Sequence, residues 1–237
     1  MVLGGGTKTL NGVLEIEGAA SWSNGGLAFN GPSGRISNMG VFSASAAPFA
    51  LQTATSGAPG SLFENQGVFT KGGAGDTRFS AGVRFDNSGM VEVTNGNLSL
   101  LGGGFHSGSF EVHAGARLDL AGNHSMLPTA SIMGAGTVRV TTGSSLQVDA
   151  LDFDGAFVAS GSTVDFGSVA RVGSLVATQG GRVTFHSTGQ AGSIAVGAAT
   201  VQFLTTLTLD PGAGIVVNSA GLLSIGSGAV EAASLEL

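Results

Sequence analysis

Residues 110–120 read FEVHAGARLDL, with apolar residues at positions 1, 3, 9 and 11 and a glycine at position 6. The same template falls on 138–148 (VRVTTGSSLQV) and 175–185 (LVATQGGRVTF), and on 156–166 (AFVASGSTVDF) with Ala156 as a small first residue. It also falls on 215–225 (IVVNSAGLLSI) with the glycine displaced to Gly221, and, one residue shorter, on 91–100 and 194–203. Units therefore start at 91, 110, 138, 156, 175, 194 and 215, with Leu235 opening another. Six of the seven intervals are 18–21 residues; the exception, 28, predicts a protruding loop inserted near 121–136, AGNHSMLPTASIMGAG. Alternation of apolar and polar residues is the period of a strand. Glycine between two such runs closes a turn cheaply, because it tolerates positive φ. Two four-residue strands cannot bury an apolar face alone, so successive units must stack to share one core. The expected fold is all-β, a β-solenoid (β-helix) with about 19-residue coils. Ten to twelve coils at a spacing of about 4.8 Å make a rod of roughly 50 Å.

Position 11 reads Leu100, Leu120, Val148, Phe166, Phe185, Phe203 and Ile225, a predicted ladder of like residues. The position before it reads Ser99, Asp119, Gln147, Asp165, Thr184, Gln202 and Ser224, polar throughout as an outward position requires. Composition agrees. Glycine is 42 of 237 residues, about 18%, against roughly 7% in an average soluble protein, which excludes long stable helices. Disorder is excluded by 42% apolar residues and a mean hydropathy of +0.36. Net charge is −6 with no basic cluster, so no nucleic-acid partner is expected. No apolar run is long enough to cross a bilayer as a helix, so no membrane insertion is expected. The absence of cysteine removes disulfides, thiolate metal sites and cysteine nucleophiles together.

The N-terminal third repeats more loosely. Here an apolar-x-Asn-x-Gly motif recurs as ISNMGVF (36–42), FENQGVF (63–69) and FDNSGMV (85–91), spaced by 27 and 22. Asparagine at a coil corner can bond locally, and stacked asparagines form ladders. The expectation is one continuous solenoid over 1–237, less regular at 1–62 and regular over 63–237. Leu235-Glu236-Leu237 matches the start of a new coil, which predicts a segment of a longer protein. On FENQGVFTKGGAG (63–75), FDNSGMVEVTNGNLSLLGGG (85–104) and the later coils, the chain resembles repetitive β-solenoid proteins of bacterial surfaces and secretions, haemagglutinin-like or autotransporter-passenger-like. That resemblance implies a right-handed coil, an extracellular or cell-surface location, and a structural or adhesive role without enzymatic activity. Its implied partners are a protein or glycan surface ligand.

Chemistry-bearing residues are few. Asp149, Asp152 and Asp154 lie in VDALDFDG, with Asp165 beyond; they are the only plausible acids for a carbohydrate-active β-helix of lyase or hydrolase type. A solvated acidic turn is the expected reading, so no catalytic residue is assigned. His106, His113, His124 and His186 are scattered; His106 and His113 fall on adjacent turns, but a metal site needs three or four ligands, and neither a metal nor a cofactor is expected. The GGG runs at 4–6 and 102–104 precede no helix, which argues against a phosphate-cradling loop. The outward position 2 turns from Glu92, Glu111 and Arg139 to Phe157, Val176, Ala195 and Val216. Those four residues predict an apolar stripe of about 15 Å and a candidate interface for self-association.

Overall fold

A computed structural model describes residues 1–30, 34–47, 50–56, 60–218, 220–226 and 230–231, the last pair by backbone alone. None of these residues is helical. The strands form three parallel sheets of 7, 12 and 11 strands, termed A, B and C, stacked into a β-solenoid of about eleven coils. The chain visits the sheets in turn: Met90–Val93 lies in A, Asn97–Leu100 in B and Gly104–His106 in C, before Ser109–Val112 returns to A. Strand pairs run parallel, and partners such as Val91↔Phe110, Phe157↔Leu175 and Leu175↔Ile194 are separated by one turn of the coil. The pairs Phe42↔Phe69 and Phe110↔Ile132 enclose longer turns.

Two expectations are corrected. Residues 121–136 do not form a protruding loop: Asn123–Met126 is a strand of sheet C and Ser131–Met133 a strand of sheet A. The repeat template spans only two of the three faces, and it slips by one face at this point. Units 91–100 and 110–120 lie on A and B, whereas 138–148 and later units end on C. The long interval is thus a coil plus one face. Accordingly the position-11 ladder divides: Leu100 stacks on Leu120 in sheet B, while Val148, Phe166, Phe185, Phe203 and Ile225 stack in sheet C.

From Leu151 onward the A and B faces merge into single bent strands, Leu151–Ser160, Ala170–Thr178, Gly189–Gly197 and Leu207–Val217. Glycine sits at the bend where a neighbouring coil leaves no room for a side chain. A Cβ on Gly173 would lie 1.9 Å from the carbonyl oxygen of Asp154.

The interior is a set of columns. Phe185 stacks on Phe166 and Phe203 with ring centroids 4.7 and 4.3 Å apart. In the first coils Phe42 stacks on Phe69 and Phe63 on Phe85, with Phe79 packed edge-on to Phe63 and Phe85. Beside them runs the asparagine ladder that the Asn-x-Gly motif predicts. Asn38 Nδ2 donates to Asn65 Oδ1 (2.7 Å) and Asn65 Nδ2 to Asn87 Oδ1 (2.8 Å). The same amides reach the carbonyls of Val68, Met90 and Ser109 at the next corner. The motif glycine closes that corner against the coil before it: a Cβ on Gly89 would meet the Gly67 oxygen at 2.0 Å.

Asn65→Ala strands buried partners on both neighbouring coils, each worth about 1–3 kcal/mol when unsatisfied. A stability loss of about 3 kcal/mol in urea unfolding is expected. A loss under about 0.5 kcal/mol, less than one ordinary hydrogen bond, would contradict the ladder's role.

Candidate functional site

The outer face of sheet C carries a column Glu64, Asp86, Phe105, Ser125, Gln147, Asp165, Thr184, Gln202 and Ser224, one residue per coil; Phe105↔Ser125 and Gln147↔Asp165 are among its pairs. Phe105 is 60% exposed, and among the described residues it is the only exposed phenylalanine or tryptophan. The Arg84 guanidinium lies over the Phe105 ring at 5.6 Å, and the Phe105 backbone N–H donates to Asp86 Oδ1 at 3.0 Å. Glu64, Asp86, Ser107 and Leu127 line a cavity of about 100 Å³ beside it. Further along, two shallow grooves of about 350 and 480 Å³ share Asp165 and His186, whose Oδ1 and Nε2 are 3.4 Å apart. Asp149 and Gln147 line the first groove; Arg182, Thr184 and Gln202 line the second. An apolar ring flanked by carboxylates, followed by amides and hydroxyls, offers stacking and hydrogen bonding to a polar polymer.

The four candidate acids do not converge. Asp149 and Asp165 share a groove on sheet C, whereas Asp152 and Asp154 lie on the bent strand Leu151–Ser160. Arg171 pairs with both of the latter, at 2.6 Å to Asp152 and in direct contact with Asp154. Other carboxylates are likewise held. Asp119 is almost fully buried beneath Arg117 and a bidentate Arg139. Arg35 pairs with Glu64 and Arg84 with Asp86. Burial works against ionising Glu64, but hydrogen bonds from Arg35, Gln66 and Ser37 and the Arg35 charge outweigh it and hold the carboxyl below its usual range.

His106 and His113 are not brought together. His106 follows Asn87 in the interior column of sheet C and pairs with His124, Nε2 to Nδ1 at 2.9 Å. His124 Nε2 faces the carbonyls of Leu100 and Ala121 at 3.2 and 3.1 Å, so Nε2 carries the proton and Nδ1 accepts from His106. Burial pushes His124 down to about 4, against its carbonyl bonds and the Asp86 charge, and burial with the His124 charge pushes His106 well below its ordinary value. Lys71 is also interior, on the column Ala44, Lys71, Val93. Its ammonium donates to the carbonyls of Gly72, Gly73 and Asn95 at 2.7–2.9 Å, and burial lowers its pKa to about 8 despite the Asp76 charge.

His113 instead joins Glu92 and Glu111 on the outer face of sheet A. Its Nε2 lies 3.2 Å from Glu92 Oε1 and 3.4 Å from Glu111 Oε1. The two glutamates were legible as stacked outward residues, and period 2 puts His113 on the same side as Glu111. Spacing along the chain does not reveal the cluster, because Glu92 reaches His113 only through the coil-to-coil pairing of Glu92 with Glu111.

The apolar stripe needs one correction. Phe157 points inward and is fully buried, stacked on Leu175, because Ala156 faces out. Val158 takes its place, so the outward column of sheet B runs Arg139, Val158, Val176, Ala195 and Val216. Val216 is 59% exposed and the three residues before it are half-buried.

Comparison of the chain with protein-family models, with curated proteins and with solved structures finds no match.

The histidine pair gives a pH signature. Both imidazoles are held neutral in the fold, while an unfolded histidine titrates near 6.5. Above that pH both states are deprotonated and stability is complete. As pH falls from about 6.5 toward 4 only the unfolded chain takes up the protons, and stability falls by up to about 1.4 kcal/mol per histidine per pH unit. The double variant His106→Asn, His124→Leu is expected to flatten urea midpoints across that window. A variant profile parallel to the wild type would exclude the pair as the cause.

Proposed function

We propose that this chain is a non-enzymatic scaffold, a rigid stalk or adhesive segment of a large cell-surface or secreted protein, with the outer face of sheet C as its contact surface for a protein or glycan. The observation that carries this reading is the disposition of the acids. The four aspartates are split between two faces, and Asp152 and Asp154 are both paired with Arg171. The grooves are shallow, and a stacked core runs from coil to coil, as a stiff spacer requires. The alternative is a carbohydrate-active β-helix. Asp149, Asp165 and His186 lining one groove favour it, since paired carboxylates are the groups that glycosidic cleavage uses.

A panel of neutral and acidic polysaccharides separates the two. The scaffold reading expects binding without turnover, weakened about tenfold or less by Phe105→Ala, as loss of one aromatic contact dictates. Turnover that disappears in Asp165→Ala would assign the enzyme instead.

We also propose that the stripe Val158, Val176, Ala195 and Val216 lets rods associate side by side. The double variant Val176→Lys, Val216→Lys is then expected to be monomeric in sedimentation where the wild type is not. Equal oligomeric states in both would remove the stripe as an interface.

A further inference from the structure

Glu92 and Glu111 are direct partners in the parallel ladder of sheet A, so two carboxylates stand one coil apart on the same outward column. Like charges in that relation repel. Elsewhere the rod resolves the problem with arginine: Glu64 and Asp86 also stack, and Arg35 and Arg84 pair with them. Among the described residues, no arginine or lysine pairs with Glu92 or Glu111, and the His113 imidazole is the group that approaches both.

The imidazole is held in place by its backbone. The His113 N–H donates to the Val93 carbonyl at 3.0 Å, and its own carbonyl accepts from the Ala116 N–H at 2.9 Å. Its Nε2 is shut off from solvent yet makes no hydrogen bond of acceptable geometry with either carboxylate. The three candidate donor atoms lie within 4.8 Å of one another, and the distances from Nε2 to the two carboxylate oxygens are 3.2 and 3.4 Å. Two ligands at about 2.05 Å from a tetrahedral ion are separated by about 3.3 Å.

We propose that Glu92, Glu111 and His113 form a binding site for a borderline divalent transition ion of the Zn²⁺ class. The ion joins two adjacent coils and cancels the repulsion between the stacked glutamates. Carboxylate oxygen and imidazole nitrogen are both donor types that zinc accepts, and three protein ligands leave the fourth position open to water or to a group from a partner. The donor set disfavours Ca²⁺, which takes six to eight oxygens, and Mg²⁺, which keeps an octahedral shell of oxygens. Imidazole suits zinc and its neighbours in the first transition row.

The test is calorimetric titration of the whole chain with ZnCl₂ in chelator-treated buffer, with Co²⁺ absorption as a report of coordination geometry. The wild type is expected to take up one ion, to show a visible Co²⁺ band, and to melt higher with zinc than without. His113→Ala and Glu111→Gln, both surface changes, are each expected to weaken binding at least about tenfold, the minimum cost of losing even an outer partner of a ligand. Both variants should lose the zinc-dependent rise in melting temperature while keeping the wild-type circular-dichroism spectrum. His186→Ala, an exposed histidine on sheet C, should bind as the wild type does. The proposal is overturned if the wild type takes up no zinc, or if binding survives unchanged in His113→Ala and Glu111→Gln, which would mark an adventitious ion elsewhere.

Discussion

Each inward side chain of this rod sits directly above and below its counterparts in the neighbouring coils, because the parallel backbone ladders keep those coils in register. The coil spacing is about 4.8 Å, so whatever occupies one layer must tolerate a like neighbour at that distance. Three side-chain types meet the condition in different ways. Phenyl rings stack face to face, aliphatic groups interdigitate, and asparagine amides donate up the column while accepting from below. Glycine meets the complementary demand at the corners, where the next coil's carbonyl lies too close for a Cβ.

One column of sheet C shows how these solutions are joined. It runs Asn38, Asn65, Asn87, His106, Met126, Val148, Phe166, Phe185, Phe203, from an amide ladder at one end to a ring ladder at the other. His106 stands at the junction. It follows the last asparagine of the ladder, meets the edge of Phe110, and passes its polar contact to His124, which anchors on two carbonyls. Asn87, the last amide, is thus satisfied by Asn65 and the Ser109 carbonyl, and the unpaired polar atom left at the junction is the buried His106 Nδ1. Lys71 plays a comparable part on sheet A, where its ammonium gathers three corner carbonyls that would otherwise face an apolar interior.

Much of this was legible in the sequence, and the failures have one physical source. Alternation with a glycine turn identified strands and stacking, the polar position between 9 and 11 marked the outward side, and the Asn-x-Gly recurrence pointed to the ladder. The number of faces was not legible, because every corner of a three-faced coil looks alike to an alternation template. That ambiguity let the pattern slip at 121–136, where two strands lie, and it merged two separate columns into one. Phe157 was misplaced for a related reason. Ala156 satisfied the first position by polarity, yet the large ring one residue later had far more to gain from burial. The buried Lys71 and the His106–His124 contact depend on corner carbonyls from several coils, which no local window contains. The Glu92, Glu111 and His113 cluster lay between these cases: its parts were on the right face, but the coil pairing had to be known before they met.

The register itself is open to direct measurement, since a chain without cysteine accepts spin labels at chosen sites. Along the outward column of sheet B, Thr53 is separated from Arg139, Val176 and Val216 by four, six and eight coil steps. Pulsed electron-resonance distances from a label at Thr53 should therefore centre near ~19, ~29 and ~38 Å, a linear rise of about 4.8 Å per step. Broad distributions, or distances that fail to lengthen with the number of intervening coils, would contradict the stacked, in-register rod.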